Sequence, residues 1–245
     1  MGIRLVRCTV AAVVVVALLG CTRGTKTQVT RAQLEERASH VSAYRAEVAS
    51  HYTVAGREVS VTGTVQSRPP DDLRVEMFAP DGSVARVMVQ SRDMMMQHDT
   101  HQQRVTKVDL ARVAKATGKR PPVAQGTDLS RPFDGLDPAA TIYVGSDDLP
   151  DGKAHLFEGP LLDAGSLATR LGFQPVKARV WVDDRTGLLR RTEIVGDEGG
   201  DRLVQEFTAV EVDAALEPEL FFLNPPPGVE VVDLTDALIQ ALSGQ

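Results

Sequence analysis

The chain has 245 residues, a formal net charge of −6 and only two cysteines. The acidic balance disfavours nucleic acid or an anionic membrane surface as the main partner. The length allows one large domain or two small ones and is sufficient to bury a substantial core.

The N-terminus has the pattern of a secretory signal that ends in a lipid-attachment site. Two arginines precede an apolar run over residues 8–19, which is shorter than the roughly 20 residues of a transmembrane helix. Leu18-Leu19-Gly20-Cys21 resembles a bacterial lipobox, whose cysteine is acylated after cleavage. The sequence predicts a signal peptide over residues 1–20 and a lipid anchor on Cys21, outside the cytoplasm. An ordinary cleaved signal and an uncleaved anchor are the alternatives.

Cleavage before Cys21 would leave no cysteine pair in the mature chain. Cys8 would be removed with the signal and Cys21 would carry lipid, so no disulfide could form. Because the signal contains two arginines and no acidic residue, the mature charge would be −8. Stability must then come from packing and hydrogen bonding.

The predicted elements begin after a short polar tether, residues 21–29, which fully extended would reach about 30 Å. Thr30 and Gln33 have the spacing of a capping box, and apolar residues follow at helical intervals. We expect a helix from Arg31 to about Ser42, at the start of a single folded domain over residues 30–245.

From Tyr44 onward the apolar period changes to two, which is typical of half-exposed strands. Valines alternate with other residues over 57–66, and Ala79-Pro80-Asp81-Gly82 is a tight turn between two further strands. Short strands joined by tight turns predict an antiparallel meander that continues to Lys107.

The middle of the chain contains the predicted helices. Asp109 and Gly118 have the positions of an N-cap and a C-terminal glycine. Asp137-Pro138 predicts the start of another helix. Residues 119–132 predict a long loop, and the acidic segment 145–152 predicts a turn.

The second half returns to strands. Residues 153–157 and 176–182 have strand patterns, residues 163–172 a helical one, and Asp183–Gly187 a hairpin turn. A last amphipathic helix follows Thr235.

One-sided strands with few helices define the expected fold class, which is mainly β (α+β). We predict an incomplete antiparallel β-barrel, or curved sheet, with helices covering its concave face. The alternation places ten apolar residues on that inner face, where we expect them to contact a ligand: Val59, Val61, Val65, Val75, Met77, Val87, Val89, Met94, Met96 and Val180.

Several motifs resemble the outer-membrane lipoprotein carrier superfamily, which includes LolA, LolB and related sorting and sensor lipoproteins. In the first half these motifs are Pro69–Arg74, Ala79–Gly82, Val87–Val89 and Met94–Asp99. In the second half they are Val180–Asp183, Thr186–Leu189, Leu220-Phe221 and Pro226–Val231. The resemblance spans about residues 31–232.

The resemblance implies a half-open barrel with an apolar cavity for acyl chains. Four features depart from the superfamily pattern, among them Arg92-Asp93, where the superfamily often has Asp-Gly, and a helix after Asp233 that extends past the usual end. Met94, Met96 and His98 occupy a strand that often carries Trp and Tyr, and the soluble carrier has no anchor like the one predicted at Cys21. A membrane-attached relative is therefore expected.

No catalytic motif is recognisable in the sequence. It lacks a nucleophile elbow, a P-loop and a dinucleotide-binding glycine motif, so we predict no enzymatic activity and no cofactor. His98 and His101, with Asp93 nearby, are the best metal candidates. A solvated polar hairpin explains them more simply, and no metal site is predicted.

Three consecutive methionines are the most unusual feature of the first meander. In a strand, Met94 and Met96 share one face and Met95 takes the other. We interpret Met94 and Met96 as inner-face residues, which either fill the core or form an adaptable wall for alkyl chains.

Two functions remain open at this point. The first is a lipid-anchored binding protein that holds an acyl chain, a lipid or a lipidated protein in a hydrophobic cavity, for transport or sorting. The second is an envelope lipoprotein that uses the same fold to sense envelope state or to assemble with a protein partner.

Overall fold

The computed structural model describes residues 29–118, 128–197 and 200–243, so the predicted signal peptide, Cys21 and most of the tether lie outside the described residues. The described residues form one sheet. Its strands are β1 (Tyr44–Val54), β2 (Arg57–Arg68), β3 (Asp72–Phe78), β4 (Val84–Gln90), β5 (Met94–Asp99), β6 (Arg104–Asp109), β7 (Ile142–Leu149), β8 (Gly152–Gly159), β9 (Pro175–Asp183), β10 (Leu189–Gly196), β11 (Arg202–Val212) and β12 (Glu230–Asp233).

The helices are short, and two of them begin directly after the predicted N-caps Thr30 and Asp109. They are α1 (Arg31–Ser39), α2 (Leu110–Thr117), α3 (Ala164–Leu171) and α4 (Thr235–Ser243), with a 3-10 helix at Pro218–Phe221. The Thr30 hydroxyl accepts from the Gln33 amide at 3.3 Å, and the Gln33 side chain accepts from the Thr30 amide at 2.9 Å. Both bonds satisfy amides that the first turn leaves without a helical partner, which confirms the predicted start of α1.

The sheet has the order β12-β6-β5-β4-β3-β2-β1-β11-β10-β9-β8-β7, and its two ends are not joined. Every neighbouring pair is antiparallel except β12 with β6. Strand β1 pairs with β2 on one side and with β11 on the other, so it connects the two meanders. The predicted fold class is thus confirmed as a mainly β, open and mostly antiparallel sheet.

One face of the sheet, which we call the core face, carries the main hydrophobic cluster. The strand register places Ala46, Val65 and Val75 on this face. On the other side of β1, Phe207 and Val180 lie on the same face. Side chains from α1 and from the segment 129–136 pack on them, so an irregular segment supplies much of the cover that helices alone were expected to provide.

The opposite face is covered by the C-terminal segment over part of its width. Val87 and Val89 contact Phe221 in a second apolar cluster, together with Leu216 and Leu220. Strand β12 then pairs with β6 and forms the edge of the sheet, and α4 packs against α2 in a third cluster that includes Met95 and Val108. The C-terminal segment therefore passes from the opposite face to the core face.

Two local predictions were wrong because tertiary pairing overrode the local signal. Residues 145–149 continue β7 and pair with β8 instead of forming a turn, and the Asp147 carboxylate accepts a hydrogen bond from the indole of Trp181 at 2.6 Å. Asp137-Pro138 begins a single turn, closed by the Thr141 amide on the Asp137 carbonyl at 2.9 Å. The β-branched Ile142 then enters β7.

Candidate functional site

A groove of about 500 Å³ lies on the core face at one end of the sheet. We call this end the open rim; it carries the turns that join β1 to β2, β3 to β4 and β5 to β6. The residues that line the groove are Tyr52, Val61, Met77, Phe78, Ala79, Pro80, Ala85, Arg86, Asp99, His101 and Gln102. A volume of this size is within the usual range for small-molecule sites.

The floor of the groove is apolar and adaptable. Val61 and Met77 come from the neighbouring strands β2 and β3, and Tyr52 comes from β1; all three are half-buried. Gly63 pairs with Met77 across the strands, and a Cβ atom there would overlap the Glu76 carbonyl oxygen and lie 3.0 Å from the Met77 sulfur. Glycine at this position therefore leaves space for the flexible thioether.

The mouth of the groove is polar. Arg86 and Asp99 form an ion pair at 3.2 Å, and the Asp99 carboxylate also accepts from the Gln102 amide at 3.0 Å. The Gln102 amide, with Arg86 as a second contribution, holds the pKa of Asp99 below its ordinary value. An apolar floor with a charged mouth suits an amphipathic ligand whose alkyl part enters first.

The other end of the core face is filled. The Tyr44 hydroxyl donates to the Asp128 carboxylate at 3.0 Å and accepts from the Leu129 amide at 2.8 Å, which fixes the covering segment. Phe133 from that segment packs edge-on against Phe157 with 4.9 Å between ring centroids. This end is therefore an ordinary protein core.

A small cavity of about 60 Å³ lies under α3. Its apolar lining includes Leu136, Leu161, Leu167, Val180 and Ile194. Val180 thus belongs to this cavity and to the core, and it does not line the groove.

The ten residues predicted to share one face are divided between two. Six lie on the core face: Val59, Val61, Val65, Val75, Met77 and Val180. Only Val61 and Met77 of these line the groove, while Val65, Val75 and Val180 are buried core. Val59 is exposed beside the groove.

The other four, Val87, Val89, Met94 and Met96, lie on the opposite face, so their predicted placement was wrong. Val75 is on the core face, so its neighbour Glu76, and Val87 which pairs with Glu76, are on the opposite face. Met96 pairs with Val89 on that same opposite face. Met95, which was expected to point outward, packs with α4. Apolar residues occur on both faces of β4 and β5, and alternation cannot identify an inner face when both faces carry apolar residues.

Sequence reasoning missed Tyr52 and Phe78 in the groove. Tyr52 lies in β1, for which the sequence predicted no inner face, and Phe78 follows a register shift after Met77. Their proximity to Pro80 and His101 depends on strand pairing, which no local signal reveals.

The metal candidates do not converge. His98 pairs with Val87 and Val105 on the opposite face, whereas His101 lines the groove on the core face. Within residues 29–118, 128–197 and 200–243, no group of three His, Cys, Asp or Glu side chains could hold a metal ion.

The fold and the groove define a class: open antiparallel sheets with a core on one face and an apolar groove at one end. An uncharacterised conserved protein of Thermus thermophilus has this fold at a TM-score of 0.55 and 12% identity, over 82% of this chain and 98% of that one. No family model and no curated protein matches the chain in sequence.

Two further structures align with lower TM-scores. A LolA superfamily protein of Nitrosomonas europaea aligns at a TM-score of 0.41 and 11% identity, over 80% of this chain and 99% of that one. The Mycobacterium tuberculosis lipoprotein LppX aligns at 0.44 and 12%, over 76% and 95%. Both are similarities of fold at low sequence identity, and neither assigns a family or a function to the chain.

Proposed function

We propose that the protein is a lipid-anchored extracytoplasmic binding protein that holds an acyl chain, as part of a lipid or a lipidated protein, and performs no covalent chemistry. The observation that carries this proposal is the groove, with its floor of Tyr52, Val61 and Met77 and its charged mouth. An alkyl chain in this floor would leave water, a gain of about 0.8 kcal/mol per methylene.

The proposed binding mode uses the sheet as a half-barrel that curves around its core face. The filled end is rigid because α1 and the segment 129–136 pack on it, whereas the groove end keeps half-buried side chains. A rigid scaffold with an adaptable end supports the uptake of chains of different length.

The proposed anchor is a diacylated Cys21. The lipobox supports this, and the described chain begins at Val29, which packs against the core cluster. None of the helices in the described part of the chain has both the length and the apolar character to cross a membrane. Two acyl chains attach a protein firmly, whereas one does so only marginally.

A second function, interaction with an envelope protein, is favoured by one specific observation. Strand β7 is the last strand of the sheet, and its Ile142 and Val144 are more than half exposed. An edge strand with exposed apolar side chains can accept a strand from another chain.

The proposed function is tested with the full, anchored protein. Mass spectrometry of lipid released from the purified protein, together with uptake of a fluorescent fatty acid, should both give positive results. Absence of co-purified acyl lipid and of probe uptake would contradict the proposal and leave the interaction function.

A further inference from the structure

We propose that the open rim is a membrane-contacting surface, so that the mouth of the groove faces the phospholipid bilayer to which the protein is anchored. This inference rests on the proposed function. It concerns where the ligand enters, and it is argued from two features of the described residues and from the length of the chain that precedes them.

The first feature is a concentration of exposed apolar side chains at this rim. Val59 lies next to the β1–β2 turn, Val176 is the second residue of β9, Ile142 is the first residue of β7, and Leu162 follows β8 by three residues. Each is more than half exposed. Apolar side chains gathered at one end of a protein mark a contact surface rather than random exposure.

The second feature is the direction of α1. Its Leu34 and Ala38 lie against Gly187, in the turn after β9 at the end of the sheet opposite to the open rim. Its first residue, Arg31, lies 4.9 Å above the ring of Phe133, and Phe133 packs against Phe157, two residues from the rim end of β8. The chain therefore enters α1 from the side of the open rim.

The entry point also connects to the exposed leucine. Phe133 belongs to the same segment as Leu136, which forms a bridge with Leu161, and the Leu162 amide donates to the Gly135 carbonyl at 2.8 Å. Leu162 is thus hydrogen-bonded to the segment that contacts the start of α1.

The third feature is the length of chain between α1 and the anchor. Eight residues, 21–28, precede Val29, and fully extended they span about 30 Å at most. A lipid on Cys21 would hold the entry side of α1, and with it the open rim, close to the bilayer.

The contact is expected to be apolar rather than electrostatic. The mature charge of −8 disfavours attraction to anionic lipid, and the Arg86–Asp99 pair leaves the mouth of the groove without net charge from these two residues. A zwitterionic phosphatidylcholine surface therefore suffices, and an acyl chain could pass from it to the groove without crossing water.

The cysteine content of the chain allows a direct test. With Cys21 acylated, a cysteine introduced at position 162 is the only free thiol, because Cys8 leaves with the signal. The full anchored Leu162→Cys protein, labelled with an environment-sensitive fluorophore, is placed in phosphatidylcholine vesicles that contain doxyl-labelled phosphatidylcholine. We expect the doxyl lipid to quench this label severalfold more than a label at a control position.

Phe222→Cys is the matched control, because Phe222 is as exposed as Leu162, at 67% against 65%. Its neighbour Phe221 lies under the guanidinium of Arg68, at the last position of β2 and away from the open rim. Equal quenching at the two positions would overturn the proposal.

A second variant keeps the test independent of the label. Leu162→Asp should slow the transfer of a fluorescent fatty acid from vesicles to the protein severalfold, and leave uptake of the same probe from water unchanged. Equal transfer rates in both proteins would contradict membrane contact. Failure of wild-type uptake from water contradicts the proposed function instead, and failure of the protein to float with vesicles removes the anchor on which the inference rests.

Discussion

Gly187 lies directly against the backbone of α1, where a Cβ atom would overlap the carbonyl oxygen of Leu34 and lie 2.7 Å from the Ala38 amide nitrogen. Its φ of 71° is also a conformation that favours glycine. The turn before it is held by the Asp183 carboxylate, which accepts from the amides of Arg185 and Thr186 at 2.9 and 2.8 Å. The Asp-x-x-Thr-Gly motif thus positions the helix that closes the filled end of the core.

Gly187→Ala should lower the free energy of unfolding by about 3 kcal/mol or more, since both the backbone conformation and the helix contact are lost. Gly56→Ala is the control: Gly56 has a similar φ of 74°, but a Cβ atom there would meet nothing within 4 Å. It should cost only about 1–2 kcal/mol. Urea unfolding followed by circular dichroism measures both, and equal losses would contradict the close contact.

Tyr44→Phe should destabilise the protein by about 1–3 kcal/mol, because the Leu129 amide and the Asp128 carboxylate lose a buried partner. Burial, with the Asp128 charge adding to it, raises the pKa of the Tyr44 hydroxyl well above its ordinary value.

Because folding raises the pKa of the Tyr44 hydroxyl, the free energy of unfolding should depend on pH. The unfolded chain ionises this hydroxyl at about pH 10, whereas the folded chain does so only at higher pH. Its contribution is therefore complete below about pH 10 and is lost as the pH rises from there through the folded pKa. Urea midpoints above pH 10 should fall less steeply in Tyr44→Phe than in wild type; identical slopes would argue against the shift.

Met77→Gln should weaken the uptake of a fluorescent fatty acid severalfold, because Met77 forms the floor of the groove. Met96→Gln is the control, since Met96 is equally half-buried but lies on the opposite face. Each variant should change stability by less than about 1.5 kcal/mol. Titration of the probe measures the affinity, and the same loss in both variants would refute the assignment of the groove.

Cys21→Ser should abolish lipid attachment and release the protein from the membrane fraction, because diacylation is what would hold it there. Metabolic labelling with an alkyne fatty acid detects the modification, and Gly2→Ala provides a control change outside the lipobox. Incorporation of label into Cys21→Ser at the wild-type level would contradict the anchor.

Local chemistry was sufficient to predict several elements. The capping box of Thr30 and Gln33, the Asp109 cap and the αL glycine Gly118 act within one helical turn, and all three occur in the structure. The strands predicted from alternation over 57–66 and 176–182 also occur, within β2 and β9. These caps could be predicted because the atoms that form each hydrogen bond are neighbours in the chain.

The faces of β4 and β5 could not be predicted in this way. Val87 and Val89 are apolar because Phe221, more than a hundred residues later in the chain, covers them. Met95 is apolar because α4 covers the other side. When both faces of a strand carry apolar residues, polar and apolar residues no longer alternate, and the sequence does not show which face is buried in the core.

The sequence by itself determined a mainly β chain, the caps of α1 and α2 and several tight turns, since each depends on residues close together in the chain. Only the tertiary structure decided that β1 joins the two meanders and that the core face is filled at one end. It alone placed Tyr52, Val61 and Met77 around a groove at the other end. The physical reason is that pairing and burial depend on contacts between distant segments, which the period of a single strand does not encode.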